Sequence, residues 1–583
     1  MPNLHKKDIR ISISAIKTEN IFWPGIDSGM YKLKNNSIAP KILPYPVDVD
    51  AVIVANGLTH RYRLRDYMNR YNRLRMFSAG VIFPSLIVAA DNVHIRGSIV
   101  TIGGKFLLNG PSGLRMINRL SRANNKNRVH KLKRIVESFS DIRVTNDLNL
   151  PLSPPQDLNL DFIIVAKNFS NFYHFTKETL PNLTLYQDYN LTGKIIIHSK
   201  NPMEASFVRE EISLFFPELA DRIVISTGDL QAARALLSID ARLLYYQTSE
   251  SCMPSLGSIA KESWMWEDRV LAERNLKTLG MNSCESSLIA LRERVLQRIE
   301  TMRHEEVLPK KRLRLYVARR PGKRLRQVKQ ESLLIEALEK LDFKIIYFED
   351  YDVLTQAKLV STSEVIVMAH GAGATNMLYA QPECLVVEIS NLQVALLRFG
   401  DFNPLALASK ARYLHFFTDH DWPNQENIPN FKRDGLIGSK LDKNGISILR
   451  SLIIAHLNPA RHSEIKSIAA RLNDEGNYEL LEDFLLVNFD TILHISDAHV
   501  WAANCAEFRS KSEDALMHLV QATRLAPQHR NLLERALILA HRLDAKHEFE
   551  SFSFGYFRYH RGAAIKFFKN YGWVTSPYLD ALN

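Results

Sequence analysis

The chain alternates short apolar runs with longer amphipathic segments, and it does so in two separate stretches. The first stretch predicts, in order, a strand at 161–165, a helix near 172–188, a strand at 194–198, a helix over 203–216, a strand at 222–226 and a helix after 228. The second predicts a strand at 313–318, a helix over 329–341, a strand at 343–348, a helix over 352–360, a strand at 364–368, a helix beginning near 375 and a strand at 385–389. Strands that alternate with helices form βαβ units around a parallel sheet. We therefore expect an α/β protein with two Rossmann-like lobes that face a cleft.

Other patterns flank the two arrays. Residues 1–150 carry apolar runs punctuated by Gly and Asn, which predict strands and turns, and a Pro-rich stretch at 151–155 marks a boundary. The chain is expected to divide into four parts: a strand-rich N-terminal extension that belongs to the first lobe (1–150), a first lobe with linking helices (151–302), a second lobe (303–458) and a helical C-terminal region (459–583).

The C-terminal region predicts helices and few β-branched runs. Two of its segments, 470–485 and 506–521, align with each other at an offset of 36. Five residues fall close to the tetratricopeptide pattern: Trp501, Phe508, Leu519, Ala522 and Pro527. One interpretation is an array of helical hairpins that binds a protein partner, and the other is a plain helical cap on the two lobes.

The composition restricts the partners and metal sites that we expect for this chain. Lys and Arg number 75 and Asp and Glu 63, so the formal net charge is +12, which favours a polyanionic partner. No basic stretch has the interleaved aromatic residues of a stacking platform, so nucleic acid is not the expected partner. The four cysteines, Cys252, Cys284, Cys384 and Cys505, are widely separated in the sequence, which excludes a CxxC zinc site and indicates reduced thiols.

The sequence gives little indication of a secretory signal or of a membrane-spanning segment. The N-terminus lacks the apolar core of a secretory signal. The most apolar run, 79–90, contains Pro84 and is shorter than the stretch of about 20 residues that a membrane span needs. We expect a cytoplasmic protein. The basic stretches 61–75 and 119–135 predict either solvated helix faces or peripheral contact with the anionic inner face of a membrane.

The segment His370–Asn376, HGAGATN, follows the strand-like run EVIVMA. Sheets in α/β proteins bind ligands at the C-terminal ends of parallel strands. Gly371 and Gly373 permit close backbone approach, and the amides at the start of the following helix suit a diphosphate. Thr375 and Asn376 either cap that helix or donate to a ligand. The segment lacks a full GxGxxG, so a dinucleotide is disfavoured.

The stretch Lys311–Lys329 has nine basic residues in nineteen and no acidic residue. Arg319 directly follows a strand-like run, and Arg324 and Arg326 lie in the next loop. Guanidinium groups pair with phosphate oxygens through two parallel hydrogen bonds, so we expect a few of these side chains to contact a phosphate and the rest to be solvated.

Two further patterns have competing interpretations. Asp350 and Asp352 have the D-x-D spacing that can hold a metal–diphosphate, but Asp352 also precedes a predicted helix, and we favour the capping role and predict no metal site. His174 and Glu178 lie four residues apart on one face of a predicted helix that Pro181 kinks or ends. Such a pair either deprotonates a hydroxyl or is a surface contact.

These segments together resemble glycosyltransferase family 61, which includes capsular polysaccharide biosynthesis proteins. Its signatures are like H-W-x-x-E-x-L-P, an Arg followed by R-x-I-x-N-E, and H-G-A-G-L-T-N. The chain has H-F-T-K-E-T-L-P at 174–181, Arg319 followed by R-Q-V-K-Q-E at 326–331, and H-G-A-G-A-T-N at 370–376. Three other residues match family positions: Glu349, Gln356 and Glu388. Three depart from the pattern: Phe175, Gln330 and Ala374. The resemblance covers roughly residues 45–420.

The resemblance implies a GT-B-like fold and an inverting transfer from a nucleotide sugar to a glycan or lipid-linked glycan, in capsule or other surface polysaccharide biosynthesis. It implies that the first lobe, 151–302, lies on the acceptor side and the second, 303–458, on the donor side, and that no cofactor is required. The base is expected to be Glu178, His174 or His370, with Glu178 preferred. The residues expected to bind the donor are Arg319, Arg324, Arg326, Glu349, Gly371, Ala372, Gly373, Thr375, Asn376 and Glu388. The alternative is a non-catalytic nucleotide-sugar-binding or assembly protein that acts through its helical repeats.

Overall fold

A computed structural model of the chain describes residues 18–35, 39–46, 50–75, 77–109, 150–166, 168–200, 205–240, 258, 280–303, 312–320, 327–424 and 427–575. Within these residues the protein is mixed α/β, with two large sheets and a C-terminal run of helices. None of the helices in these ranges is long and apolar enough to span a membrane. Arg324, Arg326 and the basic stretch 119–135 lie outside the described residues.

The described strands are β1 Ile21–Phe22, β2 Met30–Lys32, β3 Lys41–Pro46, β4 Asp50–Ile53, β5 Ala79–Phe83, β6 Ser85–Arg96, β7 Ile99–Ile102, β8 Lys105–Leu107, β9 Phe162–Ala166, β10 Ile195–Ser199, β11 Ile223–Ser226, β12 Asp229–Asp240, β13 Ser283–Glu285, β14 Leu313–Val317, β15 Val328–Lys329, β16 Lys344–Ile346, β17 Ser363–Ala369, β18 Leu385–Asn391, β19 Arg412–His420 and β20 Ser439–Lys440. The predicted strands of both arrays are confirmed, with small shifts at their ends.

The described α-helices are α1 Leu58–Leu74, α2 Phe172–His174, α3 Asn182–Asp188, α4 Ser206–Phe215, α5 Ser286–Arg303, α6 Glu331–Glu339, α7 Val353–Ser361, α8 Leu392–Arg398, α9 Asn403–Ser409, α10 Phe431–Asp434, α11 Lys443–Leu457, α12 Pro459–Asp474, α13 Tyr478–Ile492, α14 Ser496–Phe508, α15 Ser512–Leu525, α16 Arg530–Arg542 and α17 Lys546–Asn570. A π-helical turn, Phe175–Thr179, lies between α2 and α3, and a 3₁₀ helix, Ala372–Tyr379, follows β17.

The first large sheet has the strand order β1-β8-β7-β6-β12-β9-β10-β11, with β2 also paired to β6. Strands β12, β9, β10 and β11 are parallel, whereas β12 is antiparallel to β6. The helix predicted after residue 228 is therefore wrong, because residues 229–240 form β12. Pairing with β6 along nearly all of its length outweighs the helix propensity of its Ala and Leu residues.

The second large sheet contains the parallel strands β16-β14-β17-β18-β19-β4 in that order. At its far end β20 runs antiparallel to β19 and pairs with β15. β17 and β18 are central, and Val365, Ile366 and Val367 are each fully buried. Continuous apolar runs of this kind are typical of parallel strands covered on both faces. Strand β4 comes from the N-terminal extension and forms an edge of this sheet. A small third sheet has the order β13-β5-β3.

The basic stretch 61–75 lies on α1 and is partly engaged within the protein. The Nη2 of Arg61 donates to the carbonyl of Asn56 at 3.0 Å, and the Nη2 of Arg65 donates to the carbonyl of Leu525 at 3.3 Å. These two side chains tie α1 to the adjoining loop and to the end of α15. The exposed basic residues of α1 are Arg63, Arg70 and Arg73.

The C-terminal helices recur at a constant spacing. Gly476, Ser510 and Asp544 each have a positive φ, at +68°, +61° and +51°, and each lies in the turn between two helices. The helices before these turns end at Asp474, Phe508 and Arg542, and those after them begin at Tyr478, Ser512 and Lys546. The three turn residues are 34 positions apart, so the repeat is two residues shorter than the offset of 36 predicted from the sequence. The sequence alignment matched residue types along the helices, whereas the left-handed turn residue sets the length of the repeat.

Candidate functional site

The His174 segment begins where β9 ends, at the C-terminal edge of the first parallel array. The side chain of Asn171 caps the turn by accepting a hydrogen bond from the amide of His174 at 3.3 Å. The amide of Leu180 donates to the carbonyl of Phe175 at 2.8 Å, so the segment widens into a π-helical turn. The Nδ1 of His174 lies 3.1 Å from the Oε2 of Glu178, and each side chain is about a fifth exposed. The predicted pair is therefore in contact, and each side chain keeps part of its surface exposed.

Arg319 lies directly against the HGAGATN segment. It follows β14, and its Nη2 donates to the carbonyl of His370 at 2.9 Å. A Cβ atom built on Gly371 would lie 1.5 Å from that same Nη2. A side chain at position 371 would therefore have to displace the Arg319 guanidinium.

The HGAGATN segment follows β17 as expected, but its helix is 3₁₀ and begins at Ala372, three residues earlier than predicted. Neither Thr375 nor Asn376 caps it. The Asn376 amide donates to the Oε1 of Gln356 at 2.8 Å, and Gln356 in turn donates to the carbonyl of Phe348 at 2.9 Å. The Thr375 hydroxyl is buried and, among the described residues, has no hydrogen-bond partner.

The remaining acidic candidates have different environments. Glu349 is exposed, whereas Glu388, at the centre of β18, is 3% exposed. Asp352 accepts a hydrogen bond from the amide of Thr355 at 2.7 Å, which confirms that it is the N-cap of α7. Asp350 pairs with Arg320. Across the described ranges, no three His, Cys, Asp or Glu side chains are grouped so that they could hold a metal ion.

Aromatic side chains connect the two candidate segments. The Phe402 ring lies 5.3 Å from the Tyr173 ring and 5.4 Å from the His370 ring, measured between centroids. The Tyr173 hydroxyl also donates to the carbonyl of Asp401 at 2.6 Å. His174, the neighbour of Tyr173, thus lies beside the His370 segment. Nothing in the sequence patterns singled out Tyr173 or Phe402, because an aromatic residue next to a motif is common in any core.

A family model described as Glycosyltransferase 61 matches residues 172–387. The chain contains a glycosyltransferase family 61 domain. The match begins two residues before His174 and ends one residue before Glu388, so it spans both candidate segments and Arg319. A domain of this family implies glycosyltransferase activity, and an enzyme of this kind would bind a sugar donor and an acceptor. No curated protein matches the chain.

A buried carboxyl group supports the π-helical turn of the family 61 domain. Glu211, on α4, is fully buried, and its Oε1 accepts a hydrogen bond from the Thr176 hydroxyl at 2.8 Å. Thr176 lies between His174 and Glu178. Burial raises the pKa of Glu211 well above its usual range, and the Thr176 hydrogen bond only partly opposes this. Burial therefore favours the protonated form of Glu211 in the folded protein.

Glu211→Gln is expected to stabilise the protein increasingly as the pH rises. Below the ordinary Glu pKa of about 4.3, folded and unfolded states both bind the proton. Above this pKa the unfolded chain releases the proton while the folded protein keeps it. The wild type therefore loses up to about 1.4 kcal/mol of stability per pH unit until the pH reaches the raised pKa of the folded state. Gln cannot ionise and escapes this loss. Denaturant unfolding between pH 4 and pH 8 measures the difference, with the exposed Glu339→Gln as control. A wild-type-to-variant difference that does not change with pH would contradict it.

Proposed function

We propose that the protein is an inverting glycosyltransferase that moves a sugar from a nucleotide-sugar donor to a hydroxyl of a glycan or lipid-linked glycan. One observation carries the proposal. The guanidinium of Arg319 and the small-residue turn Gly371–Gly373 meet at the C-terminal edge of one parallel array, and the His174–Glu178 pair from the other array lies beside them. The first group suits a diphosphate, and the second suits an acceptor hydroxyl.

In the proposed reaction Glu178 removes the proton from the acceptor hydroxyl. Its oxygen attacks the anomeric carbon from the side opposite the leaving group. The bond between that carbon and the phosphate oxygen breaks, and its electron pair leaves with the nucleoside diphosphate. His174, 3.1 Å from Glu178, orients the base. The two other candidates for the base, His174 and His370, lie within the same region.

The donor side of the proposed site combines one guanidinium, that of Arg319, with the backbone amides of a small-residue turn. Arg319 and the amides around Gly371 and Gly373 would stabilise the charge that develops on the departing phosphate. Thr375, whose buried hydroxyl has no protein partner among the described residues, would supply a further hydrogen bond. Basic side chains in this position replace a divalent ion, so we propose a metal-independent reaction. Arg324, Arg326, Ala372, Asn376 and Glu349 remain proposed donor contacts.

We further propose a GT-B-like arrangement of the two arrays and a tetratricopeptide-like identity for the C-terminal helices. The constant spacing of Gly476, Ser510 and Asp544 supports the second point, since it equals the length of a tetratricopeptide unit, about 34 residues. Leu486 and Val487 on α13 are both 80% exposed, which favours a protein partner for this region. The resemblance to capsular polysaccharide proteins supports a role in surface polysaccharide synthesis.

The stereochemistry of the product tests the proposed reaction. Purified protein incubated with a nucleotide sugar that it turns over is expected to form a glycoside of inverted anomeric configuration, as read by proton NMR before mutarotation. Excess chelator is expected to leave the rate unchanged. A retained configuration would contradict the single-displacement mechanism, and a rate abolished by chelator and restored by a divalent ion would contradict metal independence.

A further inference from the structure

Four buried side chains form a network behind the HGAGATN segment. The Nδ1 of His370 hydrogen-bonds to one oxygen of Glu388, and the Tyr413 hydroxyl donates to the other. The Nδ1 of His415 lies 3.3 Å from that second oxygen. The four residues are between 3% and 8% exposed, and they come from the C-terminal end of β17, from β18 and from β19.

Glu388 is an anion in this network. Burial alone would raise the pKa of Glu388, but the His370 and His415 imidazoles outweigh burial and hold its pKa well below the usual range. An ionised carboxylate only accepts hydrogen bonds, so the Nδ1 of His370 must carry a proton. The neighbouring Tyr413 hydroxyl is likewise a donor, since burial and Glu388 raise the pKa of Tyr413 well above its usual range.

The backbone of His370 is fixed as firmly as its ring. The amide of His370 donates to the carbonyl of Ile389 at 3.0 Å, and its carbonyl accepts from Arg319 at 2.9 Å. Among the described residues, no protein group hydrogen-bonds to Nε2. The backbone is therefore held at its amide and its carbonyl, and the ring is held at Nδ1 and against Phe402. Nε2 is the ring nitrogen left for a ligand.

We propose that Glu388, Tyr413 and His415 are positioning residues that hold His370 with its Nδ1 protonated and its Nε2 directed to the reacting groups. This rests on the proposed function and changes one part of it, because Glu388 then acts through His370 and does not touch the donor. A partner that fixes the tautomer and orientation of an imidazole in this way is a recurring device of histidine sites.

The tautomer of His370 can be measured without any activity. In ¹⁵N-labelled wild-type protein, the His370 resonances, assigned by their loss in His370→Gln, are expected to show a protonated Nδ1. In Glu388→Gln they are expected to shift away from that state. A wild-type Nδ1 without a proton, or a His370 spectrum that Glu388→Gln leaves unchanged, would overturn the proposal even if no sugar is transferred.

A double-mutant cycle on turnover tests the same proposal in the working enzyme. Glu388→Gln is expected to lower kcat about 10- to 100-fold. Tyr413→Phe, which removes one donor and keeps the ring, is expected to lower it about fivefold. In a His370→Gln background neither change is expected to have a further effect on kcat, because both act through His370. Thermal unfolding of each variant checks that it is folded. If Glu388→Gln and Tyr413→Phe lower kcat as much in the His370→Gln background as they do in the wild type, the proposal is overturned. If the wild type itself transfers no sugar, only the proposed function is contradicted.

Discussion

Glu178→Gln is expected to lower sugar transfer by about 10²- to 10⁴-fold, the usual contribution of a positioned general base. Gln keeps the size and most of the hydrogen-bonding capacity of the side chain but cannot take a proton. Glu178 lies on the acceptor side of the site, so donor affinity is expected to stay within a few-fold of wild type. Steady-state turnover and calorimetric titration with the donor give the two numbers.

A matched control separates this effect from a general loss of charge. Glu339→Gln makes the same chemical change at an exposed position on α6 and is expected to turn over like the wild type. Undiminished turnover in Glu178→Gln would remove Glu178 as the base and leave His174 or His370. A parallel loss of donor affinity would instead place Glu178 on the donor side.

Arg319→Ala is expected to weaken donor binding about 10- to 100-fold, because hydrogen bonds to charged groups contribute about 1.5–3 kcal/mol each. The chain offers a close control in the next residue. Arg320 is exposed and pairs with Asp350, so Arg320→Ala removes an equal charge without touching the Gly371 turn. Equal donor affinities for the two variants would exclude Arg319 from the phosphate site.

Gly371→Ala provides a second test of the same contact with Arg319 left in place. The added methyl would lie 1.5 Å from Nη2, so the guanidinium must move, and donor affinity is expected to fall about as far as in Arg319→Ala. Gly373→Ala is expected to have a smaller effect, since its methyl would lie 3.2 Å from the Phe348 ring. The ranking of the two glycine variants distinguishes displacement of Arg319 from general disturbance of the turn.

Much of the fold was predictable because both arrays repeat one pattern of apolar strand and amphipathic helix. Asp352 as a cap and the His174–Glu178 contact also followed from spacing alone. The failure at β12 has a clear cause. The segment contains Ala and Leu residues that favour a helix locally, and only its long-range pairing with β6 makes it a strand.

The parts of the site that the sequence did not reveal come from distant elements. Tyr413 and His415 are two residues apart on β19, so their side chains lie on the same face of the sheet. Two polar residues on one face of a buried strand could have indicated a polar network there. Their partner Glu388 lies on the neighbouring strand, however, and that neighbour is known only once the strand order is known. Glu211, on α4, likewise reaches Thr176 only through tertiary packing.

The most direct test of the account is calorimetric titration of wild type, Glu178→Gln and Arg319→Ala with a panel of nucleotide sugars. We predict that at least one nucleotide sugar binds wild type and Glu178→Gln with similar Kd and binds Arg319→Ala at least tenfold more weakly. If no nucleotide sugar binds the wild type, or if Arg319→Ala binds it as tightly as the wild type does, the proposed donor site is wrong.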